Sequence, residues 1–180
     1  MDQLTAHRRA QDVFAGVLAN VRPDQLKGPT PCAEWTVTAL IDHVIGGNVR
    51  VAAMAGAEAD GPSEDLVKAH AASALASHAA FAAPEGLTRT YELPFGSIPG
   101  SVFIGLRTTD VVTHAWDLAR ATRQSSDLDP ELAAAMLETA RGLMNPAFRG
   151  PGRAFGDERP CEAGRPAADQ LAAFLGREVG

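Results

Sequence analysis

The chain has 180 residues, 46% of them hydrophobic, which suits one domain able to bury a sizeable core without disulfide staples. A net charge of −6 without any Lys/Arg cluster points away from nucleic acid, and the lack of a run of about 18 apolar residues points away from a membrane span. The charged opening (Asp2, His7, Arg8, Arg9) has no secretion-signal core, so a cytoplasmic location is expected, with Cys32 and Cys161 as free thiols.

In chain order, Val13, Phe14, Val17, Leu18 and Val21 are spaced at three and four, predicting an amphipathic helix over 5–21 that ends before Pro23. Gly28-Pro29-Thr30-Pro31-Cys32 is a stiff loop, because its prolines exclude helix. Thr36 is a good N-cap for a second helix running to about Gly56, with Val37, Leu40, Ile41, Val44 and Val51 on its core stripe. Gly46-Gly47 inside that helix signals close approach of a neighbouring helix or a ligand. An Ala-rich third helix is predicted over 63–83, packing through Leu66, Leu75 and Phe81 and stopped by Pro84. Thr88–Leu93 reads as a short strand, followed by a turn-rich connection through Pro94, Gly96 and Pro99. A fourth helix covers 101–123. A fifth starts at Asp129-Pro130, N-cap and first helical position, and ends near Asn145-Pro146. The Gly- and Pro-rich stretch 147–166 reads as a long surface loop, and a last helix covers 167–175. The expected fold is all-α: a four-helix bundle with an additional C-terminal helix and a long loop, in a single domain over 1–180.

The fourth helix carries the chemistry. Val102, Phe103, Ile104, Leu106, Val111, Val112, Trp116 and Leu118 make it apolar around most of its circumference. At about 100° per residue, Thr109, Asp110, Thr113, His114 and Asp117 form one polar strip. Burying a carboxylate and an imidazole without partners costs several kcal/mol, so the strip must face something polar. Asp110 and His114, four residues apart, are either a hydrogen-bonded pair serving structure or two ligands of a metal ion. His43 on the second helix is either a satisfied residue at the stripe edge or the third ligand. Two imidazoles and one carboxylate leave coordination positions open, as catalytic sites do, and suit zinc or iron. Asp117 is placed to orient a ligand imidazole or to pair with Arg120 or Arg123. Trp35 and Trp116 are pocket walls or core packing, Thr113 shares the polar strip, and His7, His70 and His78 read as solvated.

Three ordered motifs then resemble one family. Thr30-Pro31-Cys32-x-x-Trp35-Thr36-Val37-x-x-Leu40-x-x-His43, followed by Gly46-Gly47-Asn48, is similar to the opening of the DinB-like mycothiol-dependent maleylpyruvate isomerase N-terminal domain and its actinobacterial relatives. Asp110-x-x-x-His114-x-Trp116-Asp117-Leu118-Ala119 resembles its second signature, and Leu171-Ala172-Ala173-Phe174-Leu175-Gly176-Arg177 its tail. The resemblance implies a DinB-like four-helix bundle holding a divalent metal through His43, Asp110 and His114, zinc first, with nickel or iron as alternatives. It further implies mycothiol as a thiol cofactor. Two departures stand out: the isomerase has a further C-terminal domain where this sequence ends, and Asp110 is one methylene shorter than the Glu that often fills that place.

The expected function is therefore a metal-dependent enzyme transferring a low-molecular-weight thiol to, or using it to isomerise, an electrophilic small molecule. The alternatives are a non-catalytic, stress-linked metal-binding protein and a hydrolase using metal-activated water. The expected partners are a small-molecule substrate or thiol, with neither nucleic acid nor membrane; a homodimer is an open alternative.

Overall fold

The computed structural model describes residues 1–32, 35–144, 149–150 and 155–180. Within them lie α1 (Gln3–Leu18), α2 (Val37–Met54), α3 (Leu66–Ala82), β1 (Thr90–Leu93), β2 (Gly96–Pro99), α4 (Gly100–Ala121), α5 (Pro130–Leu143) and α6 (Ala167–Phe174). Four helices begin at acceptor side chains that take a backbone N–H: Asp2 from Thr5, Thr36 from Ala39, Asp65 from Lys68 and Asp129 from Leu132. Each such cap contributes about 1 kcal/mol. Thr36 and Asp129 are the caps the sequence pointed to.

The first four helices close into a ring in which α1 packs on α3 and α4, and α2 packs on the same two helices. Phe14, Leu40, Ile41, Val44, Val111 and Leu118 fill its centre with essentially no exposure. Each large apolar side chain buried there contributes about 1.5–3 kcal/mol. Helices α5 and α6 lie outside the ring against α4, which is why α4 is buried around nearly its whole circumference. The Trp116 indole N–H donates to Asp169 of α6 at 2.8 Å, so this tryptophan is core. The molecule is predominantly helical, and among the described residues no helix is long and apolar enough to cross a membrane.

Several expectations need correction. The turn-rich connection after β1 contains a strand: Gly96–Pro99 pairs antiparallel with Thr90–Leu93, from Thr90 opposite Pro99 to Leu93 opposite Gly96. Helix α3 starts at Leu66, capped by Asp65, and α1 runs from Gln3 to Leu18. Leu75, expected in the core, is 72% exposed. Alanines on every side of α3 leave its inward face unmarked, and the polar side of the helix is the one that packs. His70, Ser73 and Ser77 are buried against α1 and α2, together with His7 of α1, while His78 is half-buried. His7 and His70 are therefore not solvated, and His78 is only partly so. Gln11 and Asn48 exchange amide hydrogen bonds at 2.9 and 3.1 Å, and His70 Nε2 lies 3.0 Å from Gln11 Oε1. Burial pushes the His7 imidazole down to about 3, helped by the charge of Arg107, and pushes His70 down to about 4. Both are neutral residents of a polar layer inside the bundle.

The expected end of α5 near Asn145-Pro146 and residues 147, 148 and 151–154 of the loop lie outside the described residues. From that loop, Gly156 packs against Gly176, and Arg149 donates to the carbonyl of Phe174 at 2.7 Å.

Candidate metal centre

Helix α2 places His43 one turn before Gly47, and α4 places Arg107, Asp110, His114 and Asp117 along one stripe. The two helices pack together, and their polar residues meet. His43 Nε2 and His114 Nε2 each lie 3.4 Å from the same oxygen, Oδ1 of Asp110. Donors on a tetrahedral zinc with bonds of about 2.0–2.1 Å stand about 3.3–3.4 Å apart, so both imidazole-to-carboxylate separations are those expected of donors that share one ion. The three sequence-predicted residues are thus brought together, and they could hold a metal.

Other contacts hold the trio in place. Trp35 covers both imidazoles, its ring centre 4.7 Å from that of His43 and 5.5 Å from that of His114. Asp117, fully buried, lies with Oδ2 at 3.0 Å from His114 Nδ1. By accepting a hydrogen bond from Nδ1–H, Asp117 leaves Nε2 to face an ion. Arg120 and Arg123, the expected alternatives, are not the partners of Asp117. Arg177 is, donating from NH2 at 2.9 Å and from Nε at 3.3 Å, with a further bond from NH1 to the Leu175 carbonyl. Arg120 instead stacks on Trp116 and bonds the Gly180 carbonyl.

Electrostatics separate the groups. Burial pushes the Asp110 carboxyl up, but Arg107 and His114 outweigh it and hold it well below the ordinary value. Burial likewise works against a charged His114, yet the carboxylates of Asp110 and Asp117 raise it well above 6.5. Asp117 is lowered, burial again being outweighed by His114 and Arg177. Without an ion, a proton on His114 supplies the positive charge that the carboxylates demand.

The trio opens onto a cleft of about 560 Å³ whose walls include Trp35, Thr113, Phe155 and Arg177. Thr113 donates to the Thr109 carbonyl at 2.7 Å, leaving its oxygen lone pairs at the wall. Cys32, a free thiol, also borders the cleft: it donates to Asp117 Oδ2 at 3.1 Å and receives an N–H from Arg177 at 3.2 Å. Cys32, His114 and Asp117 form a second grouping that could hold an ion. The Arg177 guanidinium already occupies that side, and a fixed cation repels a second one. Cys32 and Arg177 stood in the sequence motifs without a role at the site, and Arg107 was not singled out. The paired Gly46-Gly47 was the one signal for Arg107, since a Cβ at Gly47 would meet its guanidinium, whereas Gly46 faces open space.

Residues 7–119 match the model of the mycothiol maleylpyruvate isomerase N-terminal domain. The chain belongs to that family. Two uncharacterized proteins from strains of Mycobacterium tuberculosis are each 61% identical to it over 181 residues, covering 99% of this chain and all of theirs. Among solved structures, a crystal structure of the mycothiol-dependent maleylpyruvate isomerase is similar at a TM-score of 0.57 and 19% identity, covering 75% of this chain and 66% of that one. At that identity the likeness speaks for the fold, and the fold is that of the family.

Proposed function

We propose that this family member is a metal-dependent enzyme that binds a low-molecular-weight thiol, mycothiol, and uses it on an electrophilic small molecule, by transfer or by isomerisation. The observation that carries the reading is the convergence of two imidazole Nε2 atoms on one carboxylate oxygen at a cleft of about 560 Å³. His43, Asp110 and His114 would hold the ion. A bound divalent ion, zinc first among the candidates, would lower the thiol's pKa so that a thiolate is available near neutral pH.

The remaining steps belong to the chain. Asp117 fixes the His114 tautomer, and Arg177 fixes Asp117. Trp35 shields the imidazoles from water on one side and gives an apolar face to the substrate. Thr113 offers a hydroxyl acceptor at the cleft wall.

A purely structural ion would call for a closed fourth position, and the opening of the trio onto the cleft favours an exchangeable one. A hydrolase acting through activated water would need the same donors; kinship to a mycothiol-dependent family favours the thiol. The test is calorimetric titration of the zinc-loaded protein with mycothiol, followed by thiol consumption with model electrophiles. Saturable binding and turnover are expected. No binding heat and no consumption would end the thiol reading.

A further inference from the structure

Arg107 is a buried cation with an unusual seat. Its side chain is 11% exposed, its NH1 donates to Asp110 Oδ2 at 2.7 Å, and its Nε and NH2 are buried without a partner. Among the described residues, Asp110 is the one acid paired with it. The guanidinium lies against the backbone of α2 at Gly47, where a Cβ would come within 2.4–2.6 Å of NH2, CZ and NH1. Gly47 is one turn beyond His43, and Arg107 one turn before Asp110. The same turns that supply the imidazole and the carboxylate therefore supply the cation and its seat.

The Asp110 carboxylate is divided between two tasks. Oδ2 belongs to Arg107, and Oδ1 faces both imidazoles. The positive charge also cancels the single negative charge of the trio. Two neutral imidazoles, one carboxylate and one guanidinium sum to zero, so a divalent ion held there would keep its full charge. Such an ion favours an anionic exogenous ligand over a neutral one.

We propose that Arg107 is a positioning residue that reserves one oxygen of Asp110 and keeps the centre electrophilic, selecting an anionic ligand such as a thiolate for the open position. The inference rests on the metal reading above and adds what selects the ligand. A charge of this kind costs metal affinity: it withholds an oxygen and repels the incoming cation. It returns anion affinity. A brace that merely held Asp110 in place would differ in the metal readout on removal, since metal affinity would fall along with anion affinity.

The experiment loads the wild-type protein, Arg107→Met and Arg107→Lys with Co²⁺, measures Co²⁺ affinity by chelator competition, and titrates 2-mercaptoethanol and azide while following the cobalt visible spectrum. For Arg107→Met, Co²⁺ should bind as tightly as in wild type or more tightly. Azide, and 2-mercaptoethanol bound as its thiolate with release of the thiol proton to buffer, should each bind at least about tenfold more weakly, with a changed spectrum as the second carboxylate oxygen becomes free. Arg107→Lys, which keeps the charge, should restore most of the anion affinity. Should Arg107→Met not fold, Gly47→Ser, which displaces the guanidinium, should move Co²⁺ and anion affinity in the same directions as Arg107→Met. Unchanged anion affinity, or Co²⁺ affinity falling along with it in a folded variant, would overturn the proposal alone. Failure of the wild-type protein to take up Co²⁺ would overturn the metal reading and this proposal together.

Discussion

Asp117 Oδ2 lies 3.0 Å from His114 Nδ1 and, on its other side, 2.9 Å from Arg177 NH2. One buried carboxylate thus links a residue of α4 to the C-terminal segment 60 positions away. An amide there keeps one acceptor oxygen, for which His114 and Arg177 then compete, and the guanidinium is buried without a counter-ion. Asp117→Asn should weaken metal binding by about 10–100-fold. It should also destabilise the protein by about 3 kcal/mol, the scale for breaking a buried ion pair. Chelator competition and urea denaturation read the two effects separately.

The buried histidines set the pH dependence of the metal-free protein. His7 and His70 titrate at about 3 and about 4 in the folded state, below the ordinary 6.5. Between about 4 and 6.5 the unfolded chain takes up protons that the folded chain refuses. Stability is therefore intact above 6.5 and falls with acid, by about 1.4 kcal/mol per pH unit for each histidine. His114 has the opposite sign, because its folded value is raised. It contributes fully below 6.5 and loses its contribution as pH climbs toward the folded value. Urea midpoints should peak near pH 6.5, and His70→Leu should flatten the acid side by about one histidine's share.

Metal loading should be coupled to that same proton. Because the carboxylates hold His114 protonated in the metal-free protein, an ion must displace a proton to use Nε2. About one proton per ion should be released near pH 7, and apparent affinity should rise with pH. Calorimetry in buffers of different ionisation enthalpy checks the count. A heat independent of the buffer would contradict the assignment of His114.

The α6 anchor gives a prediction remote from the cleft. Trp116→Phe removes the indole N–H that Asp169 accepts and leaves that acid with Arg165 at 3.4 Å. A cost of about 1–3 kcal/mol is expected, for a buried polar group deprived of a partner and for lost volume. Thermal melting measures it, and metal content should be unchanged.

Much of the helix layout and of the site was legible because the signals are local. Thr36 and Asp129-Pro130 announce helix starts within four residues, Pro84 announces a stop, and the pair Asp110 and His114 shares a face by spacing alone. His43 needed the motif around it, since no spacing rule relates it to α4. The roles of Arg177 and Arg107 were not visible, because each acquires its meaning from a partner on another element: Asp117 across the bundle and Gly47 on α2. The buried polar layer was missed for a different reason. In an Ala-rich helix such as α3 the apolar pattern does not mark a face, so packing chose His70, Ser73 and Ser77 and left Leu75 outside.

The central claim is that His43, Asp110 and His114 grip one divalent ion. Metal analysis of purified wild-type, His43→Ala and His114→Ala protein, with helical content followed by circular dichroism, tests it most directly. About one ion per chain in the wild type and near-complete loss in both folded variants is the predicted result. Stoichiometric metal retained by either variant, or none in a metal-supplemented wild type, would contradict it.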